Sequence, residues 1–360
     1  MQETEENEGY AFYRSLGSPR WLLAPMVDQS ELAFRALCRR YGAQLCYTPM
    51  FNAKRFVVDK KYRRENHTTC PEDRPLIVQF CGDDPETMLA AARYVEKDCD
   101  GVDINLGCPQ GIARRGHYGA FLLKEWDLLH RMVDTLTRNL SVPVTCKVRL
   151  LNTVEETVAM CRVLQNAGAN MITVHGRTKE EISQAVGDAD WSAIAKVKQA
   201  LTVPVFANGG VHTLEDAERC LKETGCDGVM SSEAALANPG VFSDCVSSLT
   251  GKASTHEELV MEYLELARTY PPRAGGLKVV RAHLYKLLHG LLQVRVDLRA
   301  RLAQLGSVEE MHALAQEIFA SQRADPDAFQ ACTTWYFRHR KHLRAPGGLP
   351  APPAASAAAA

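Results

Sequence analysis

No apolar run in this 360-residue chain approaches the roughly 18 residues that a membrane span requires, so a helical membrane protein is excluded. An excess of charge of one sign is also missing. The chain holds 42 Lys and Arg against 43 Asp and Glu, a formal net charge of −1. The whole molecule therefore does not read as a polyanion binder, although a local basic face stays open. Its 12 cysteines include no CxxC pair and no framework spacing. That pattern reads as a reduced, intracellular chain, cytoplasmic and compatible with the nucleus as well. No metal-ligand set is complete. His67 and Cys70 have no partner pair, and Cys332 with His339 and His342 is equally partial. The acidic opening MQETEENEGY is expected to be neither a secretory nor a mitochondrial leader. With 46% hydrophobic and 24% charged residues, disorder, collagen and coiled coil are excluded as the main character.

What is present is a recurring unit. Eight short apolar runs occupy Trp21–Ala24, Leu45–Thr48, Leu76–Phe80, Gly101–Asn105, Val144–Val148, Met171–His175, Val205–Asn208 and Gly228–Ser231. They recur about every 30 residues, the length of one βα unit. Several are uniformly apolar, as strands buried on both faces require. Between them lie helical patterns such as Ser30–Tyr41, Pro85–Glu96 and Thr153–Ala167. The expected fold is α/β, a (β/α)8 TIM barrel followed by a smaller all-helical domain. A doubly wound open sheet competes, but no GxGxxG follows the first strand. Helical spacing alone continues through Glu257–Thr269, Gly276–Val294, Val308–Ser321 and Pro326–His342. The expected organisation is a polar lead-in at 1–17, a catalytic barrel at 18–250, a helical domain at 255–343 and a disordered low-complexity tail at 345–360.

A barrel of this kind carries its chemistry at the C-terminal ends of its strands. Those positions hold Pro25 and Met26, Gln79, the run Asp103-Ile104-Asn105-Leu106-Gly107-Cys108-Pro109, Lys147 and Arg149, His175-Gly176-Arg177, Asn208-Gly209-Gly210, and Ser231-Ser232-Glu233. The glycine pair after strand seven, with the serines after strand eight, suits a phosphate, because glycine lets backbone N–H groups approach oxygens. The same glycines also fit an ordinary βα turn. Lys147 reads as a cation for an anionic or electron-rich ring, as a barrel ion pair, or as a Schiff-base lysine. Gln79 can offer a donor and an acceptor to a heterocycle edge. Cys108, between Gly107 and Pro109, is placed on a constrained loop as an acid or nucleophile, or else as a buried loop thiol.

These stretches, together with Val78-Gln79-Phe80 and Cys146-Lys147-Val148-Arg149, resemble the tRNA-dihydrouridine synthases, in order from about residue 20 to 240. The continuation Gln110–Gly119 resembles the eukaryotic subfamily that acts at positions 16 and 17 of the tRNA D-loop. The resemblance implies an FMN enzyme reduced by NADPH or NADH. Pro25, Met26 and Val27 would pack under the isoalloxazine, and Gln79 and Lys147 would bind its polar edge with His175 nearby. Asn208, Gly209, Gly210, Ser232 and Glu233 would surround its phosphate. Many relatives have Gly-Arg where this chain has Ser232-Glu233, so phosphate binding must rest on backbone N–H groups and serine hydroxyls. The reduced flavin would pass hydride to C6 of a uracil, and Cys108 would protonate C5. Asn105 and Arg177 would contact the extruded base.

The implied partner is tRNA, with no membrane and no obligate protein partner. Residues 278–301 hold six cations against one acid, Asp297, and the segment WYFRHRKHLR at 335–344 holds four cations and no acid. On a helix Lys278, Arg281 and Tyr285 share one face with Lys286 beside them, a phosphate-binding stripe or a merely solvated face. Two other activities compete: a dihydroorotate-dehydrogenase-like flavin barrel acting on a free pyrimidine, and a non-catalytic tRNA-binding protein.

Overall fold

The computed structural model describes residues 7–182, 187–243 and 255–339. The tail at 345–360 and residues 340–344 of the basic segment lie outside the described residues. Eight barrel strands are β1 (Trp21–Leu23), β2 (Leu45–Tyr47), β3 (Leu76–Cys81), β4 (Gly101–Leu106), β5 (Val144–Arg149), β6 (Met171–His175), β7 (Val205–Asn208) and β8 (Gly228–Ser231). Every pairing is parallel. Leu22 of β1 pairs with Leu45 of β2 on one side and with Met230 of β8 on the other, so the ring is closed. A two-residue strand, Phe51–Asn52, adds to the upper end of β3. The expected strands agree with these bounds to within one residue, because parallel strands with two buried faces stand out as unbroken apolar runs.

Helix starts follow local chemistry. Asp84 accepts from the Thr87 N–H with Pro85 in the first turn, and Thr153, Asp190 and Thr213 cap the helices beginning at Val154, Trp191 and Leu214. Each such cap contributes about 1 kcal/mol. Outward-facing Val102, Ile104, Cys146 and Val148 join the helices in one large core, while Leu22, Leu45, Tyr47, Ile77, Met171, Phe206 and Met230 form a second, inner cluster.

Three parts depart from expectation. The polar lead-in contains a helix: Glu8–Ser15, capped by Asn7. Phe12 enters the inner cluster, and the hydroxyls of Tyr10 and Tyr13 donate to the Asp227 carboxylate and carbonyl at 3.1 and 3.0 Å. Lys198 completes the seal with an ion pair to Asp227 at 2.6 Å. The expected helix Gly276–Val294 breaks into Leu277–Leu287 and His289–Val294, and a further helix, Val296–Leu302, follows. The expected helix Pro326–His342 is replaced, among the described residues, by 3-10 turns at Asp327–Phe329 and Trp335–His339. The intervening Cys332-Thr333 backbone lies so close to Gly290 that a Cβ there would sit 2.8 Å from the Thr333 carbonyl oxygen.

The helical region packs on the barrel helix Leu32–Arg40. His283, fully buried, stacks on Phe34 at 4.3 Å and bonds the Glu31 carboxylate at 2.9 Å, which also accepts from the Tyr263 hydroxyl. Tyr41 donates to Glu262 at 2.8 Å. No helix among the described residues is long and apolar enough to cross a membrane.

Candidate active site

A cavity of about 370 Å³ opens at the C-terminal ends of the strands. Met26, Arg149, His175, Arg177, Asn208, Gly209, Gly210, Ser232 and Glu233 line it. Lys147 reaches the same place one bond back: its Nζ donates to Asn208 Oδ1 at 2.9 Å, and Asn208 Nδ2 donates to the Met230 carbonyl at 2.8 Å. The alternation along β5 explains this convergence. Thr145, Lys147 and Arg149 point inward, two residues apart, while Cys146 and Val148 face the helices.

Three cations converge in a poorly solvated place. Burial, with the charge of Arg149 beside it, lowers the Lys147 pKa to about 7. Burial and the charge of Arg177 lower that of Arg149 to about 10. Desolvation and like charge both disfavour the protonated forms here, and an anion or an electron-rich ring edge would favour them. Arg177 is itself fixed, Nε donating to the Gly187 carbonyl at 2.8 Å and Nη1 lying 3.1 Å from His175 Nε2. A guanidinium can only donate, so Nε2 is the accepting atom of this contact. Gly209 and Gly210 have φ of 105° and 77°, and a Cβ on Gly209 would lie 3.0 Å from the His175 ring. Ser231 Oγ beside them is buried and has no hydrogen-bond partner among the described residues.

The thiol lies off this cavity, on the loop after β4. Asn105 Oδ1 accepts from the N–H groups of Gly107 and Cys108 at 3.2 and 3.0 Å. Arg149 Nε donates to the Gly107 carbonyl at 2.8 Å. The Cys108 carbonyl accepts from the Ala120 N–H at 3.0 Å, across Gly119, whose φ is +69°. Burial raises the thiol pKa, against smaller opposing effects of the Gln110 backbone and Arg149. The sulfur therefore holds its proton at neutral pH. Asn105 Nδ2 also donates to Gln79 Oε1 at 2.9 Å, and Gln79 Nε2 donates to Asp103 at 2.8 Å. Burial lifts the Asp103 pKa to about 6, and Thr145 donates to its other oxygen at 2.6 Å.

The other expected residues fall in different places. Pro25 is half-buried beside Met26, but Val27 is 53% exposed at the rim rather than packed within the cavity. Gln79 is fully buried with both amide atoms engaged. Lys278 is exposed, away from the cavity. Arg281 is turned to a structural task, donating to the carbonyls of Leu302 and Leu305 at 3.0 and 2.7 Å and so closing the end of helix Val296–Leu302. Lys286 bonds Gln29 in the loop after β1 and lies over the Trp335 ring. Arg149 and Ser231, named at the strand ends without a specific role for Arg149, both line the cavity, and so does Tyr336, which sequence reasoning left outside the barrel mouth. The inward alternation from Lys147 gives Arg149 its place in the mouth. His67 and Cys70 belong to no metal cluster, and among the described residues no group of His, Cys, Asp or Glu could hold a metal ion.

Residues 22–324 match the family model described as dihydrouridine synthase (Dus). The chain is 50% identical over 314 residues to the mouse protein named tRNA-dihydrouridine(16/17) synthase [NAD(P)(+)]-like, covering 86% of this chain and 64% of that one. The chain thus spans a little under two thirds of that curated relative. It is 42% identical over 330 residues to the Saccharomyces cerevisiae tRNA-dihydrouridine(16/17) synthase [NAD(P)(+)], covering 86% of this chain and 78% of the yeast protein. Among solved structures, a 2-naphthoyl-CoA reductase complex aligns with a TM-score of 0.49 at 13% identity, over 62% of this chain and 49% of that one.

Proposed function

This chain belongs to the dihydrouridine synthase family, and from that premise we propose that it reduces uridine to 5,6-dihydrouridine in the D-loop of tRNA, with FMN as cofactor and NADPH or NADH as reductant. The observation that carries the reading is a protonated loop thiol, held by Asn105, beside a cation-lined cavity at the barrel mouth. The donor set fits FMN. Two glycines at positive φ let the backbone come close to a phosphate, and the buried Ser231 hydroxyl beside them is an available donor. Bound FMN, once reduced by the nicotinamide, supplies the hydride for C6 of the uracil.

The chain's own residues do the rest. Met26, with Pro25 beside it, gives the ring an apolar seat, and Val27 stands at its rim. Lys147, aimed by Asn208, meets the electron-rich edge of the ring, and burial makes that charge count. His175 offers a hydrogen bond. Asn208, Gly209, Gly210 and Ser232 enclose the phosphate end, where Glu233 contributes backbone rather than charge. Gln79 and Asn105 bond each other; to meet the ring edge and the incoming base they would have to give up that bond. Arg177, at the cavity wall, would contact the base. A stacked uridine cannot enter this mouth and must be flipped out of the tRNA. The Cys108 thiol then donates its proton to C5. Lys278 and Lys286 lie on the helical surface that would carry the phosphate backbone.

The test is a purified chain given NADPH and tRNA lacking the modification. A flavin absorbance spectrum and formation of dihydrouridine are expected. A colourless protein that never takes up FMN, or one active on orotate and inert on tRNA, would overturn the reading.

A further inference from the structure

The cavity has a wall that does not come from the barrel. Of its lining residues all but one lie between Met26 and Ala234; the exception is Tyr336. Tyr336 is 5% exposed. Its ring stacks on His212 with centroids 5.3 Å apart and planes 17° apart, and Phe337 meets the same imidazole edge-on. His212 follows the Gly209-Gly210 turn by two residues and is anchored by Asp216, which accepts from its backbone N–H at 3.2 Å. On the other side Trp335 lies 5.5 Å from Lys286 Nζ, and Lys286 bonds Gln29 in the loop after β1. The preceding Cys332-Thr333 backbone is seated against Gly290. One short segment thus touches, directly or through a single lysine, the loops after β7 and β1.

We propose that Tyr336 is a cofactor-cavity residue, its ring closing the phosphate end of the site, and that cofactor binding and seating of residues 332–337 are one coupled equilibrium. The proposal rests on the FMN reading above. A group bound between the glycine turn and the tyrosine ring is held only while the segment is seated. By reciprocity, the bound group holds the segment down. The aromatic face supplies apolar contact where the loop after β8 brings only serine, glutamate and alanine side chains.

Two measurements on the full chain test this. FMN affinity is read from quenching of flavin fluorescence for the parent, Tyr336→Phe and Tyr336→Ala. Tyr336→Phe keeps the ring and should bind like the parent, whereas Tyr336→Ala should bind about threefold to tenfold more weakly. Amide exchange in the unmutated chain should slow across residues 330–337 when FMN is added. Parent-like affinity in Tyr336→Ala, or exchange in 330–337 that ignores FMN, overturns the proposal. A parent chain that binds no FMN overturns the cofactor reading itself, and the proposal with it.

Discussion

At the scale of the residue, Cys108 carries the sharpest expectation. Cys108→Ala should bind FMN and accept electrons from NADPH, while dihydrouridine formation falls by about 10²-fold or more, as expected on removing a positioned acid. Single-turnover assays with pre-reduced enzyme separate the two half-reactions. The same thiol can be displaced without being touched. A Cβ on Gly119 would lie 2.7 Å from the Cys108 carbonyl oxygen and 2.9 Å from its Cβ, at a φ of +69°. Gly119→Ala should therefore slow uridine reduction with FMN affinity unchanged, and lower unfolding stability by about 1–2 kcal/mol in a urea titration. Lys147 gives a pH signature. Its pKa is lowered to about 7 by burial and by Arg149. An electron-rich ring edge favours the ammonium, so the pKa rises when FMN binds. Binding is then tightest below about pH 7 and weakens as pH climbs from there through the raised bound-state value. Fluorescence titrations at successive pH values should show this slope, and Lys147→Met should abolish it.

At the scale of the element, Arg281 and Lys278 part company although a helix sets them on one face. Arg281→Ala removes two charge-assisted bonds from the end of helix Val296–Leu302 and should cost about 1–3 kcal/mol, measured by thermal or urea melting. Lys278→Ala, at an exposed position, should leave stability alone and flatten the log–log salt dependence of tRNA affinity by about 0.7–0.9. This contrast marks where sequence stops being legible. The strands and their ends could be read because burial on both faces leaves uninterrupted apolar runs, and the barrel rule then points to the working positions. Asn105, Lys147, His175 and Asn208 came from that rule. Arg281 could not be sorted by periodicity, since its partners are carbonyls beyond the next helix. The helix Glu8–Ser15 was hidden because eight residues carry little periodic signal, and its aromatic residues find their partners only at Asp227 and the barrel floor. Tyr336 belongs to a stretch whose helical spacing misleads, since its shape is set by docking on Gly290 and His212.

At the scale of the whole molecule, barrel and helical region share one hydrophobic core. Phe34 and Leu37 of the barrel lie in the same cluster as Tyr263, Leu284 and Ile318. Calorimetry should accordingly show a single melting transition, and a chain cut after residue 250 should fail to fold as a soluble barrel because Phe34 and Leu37 lose their cover. The floor formed by Phe12, Tyr10, Tyr13 and Asp227 has a kinetic meaning of its own. Above this floor the barrel interior is filled by its own side chains, so the mouth is the single door, and everything that visits the reaction centre must queue for it. Nicotinamide and nucleic acid would need to take turns, the first leaving its electrons behind before the second arrives. Initial-rate plots against each substrate should then be parallel lines. Saturating unmodified tRNA should compete with NADPH for the oxidised protein, so that too much substrate slows the turnover it feeds.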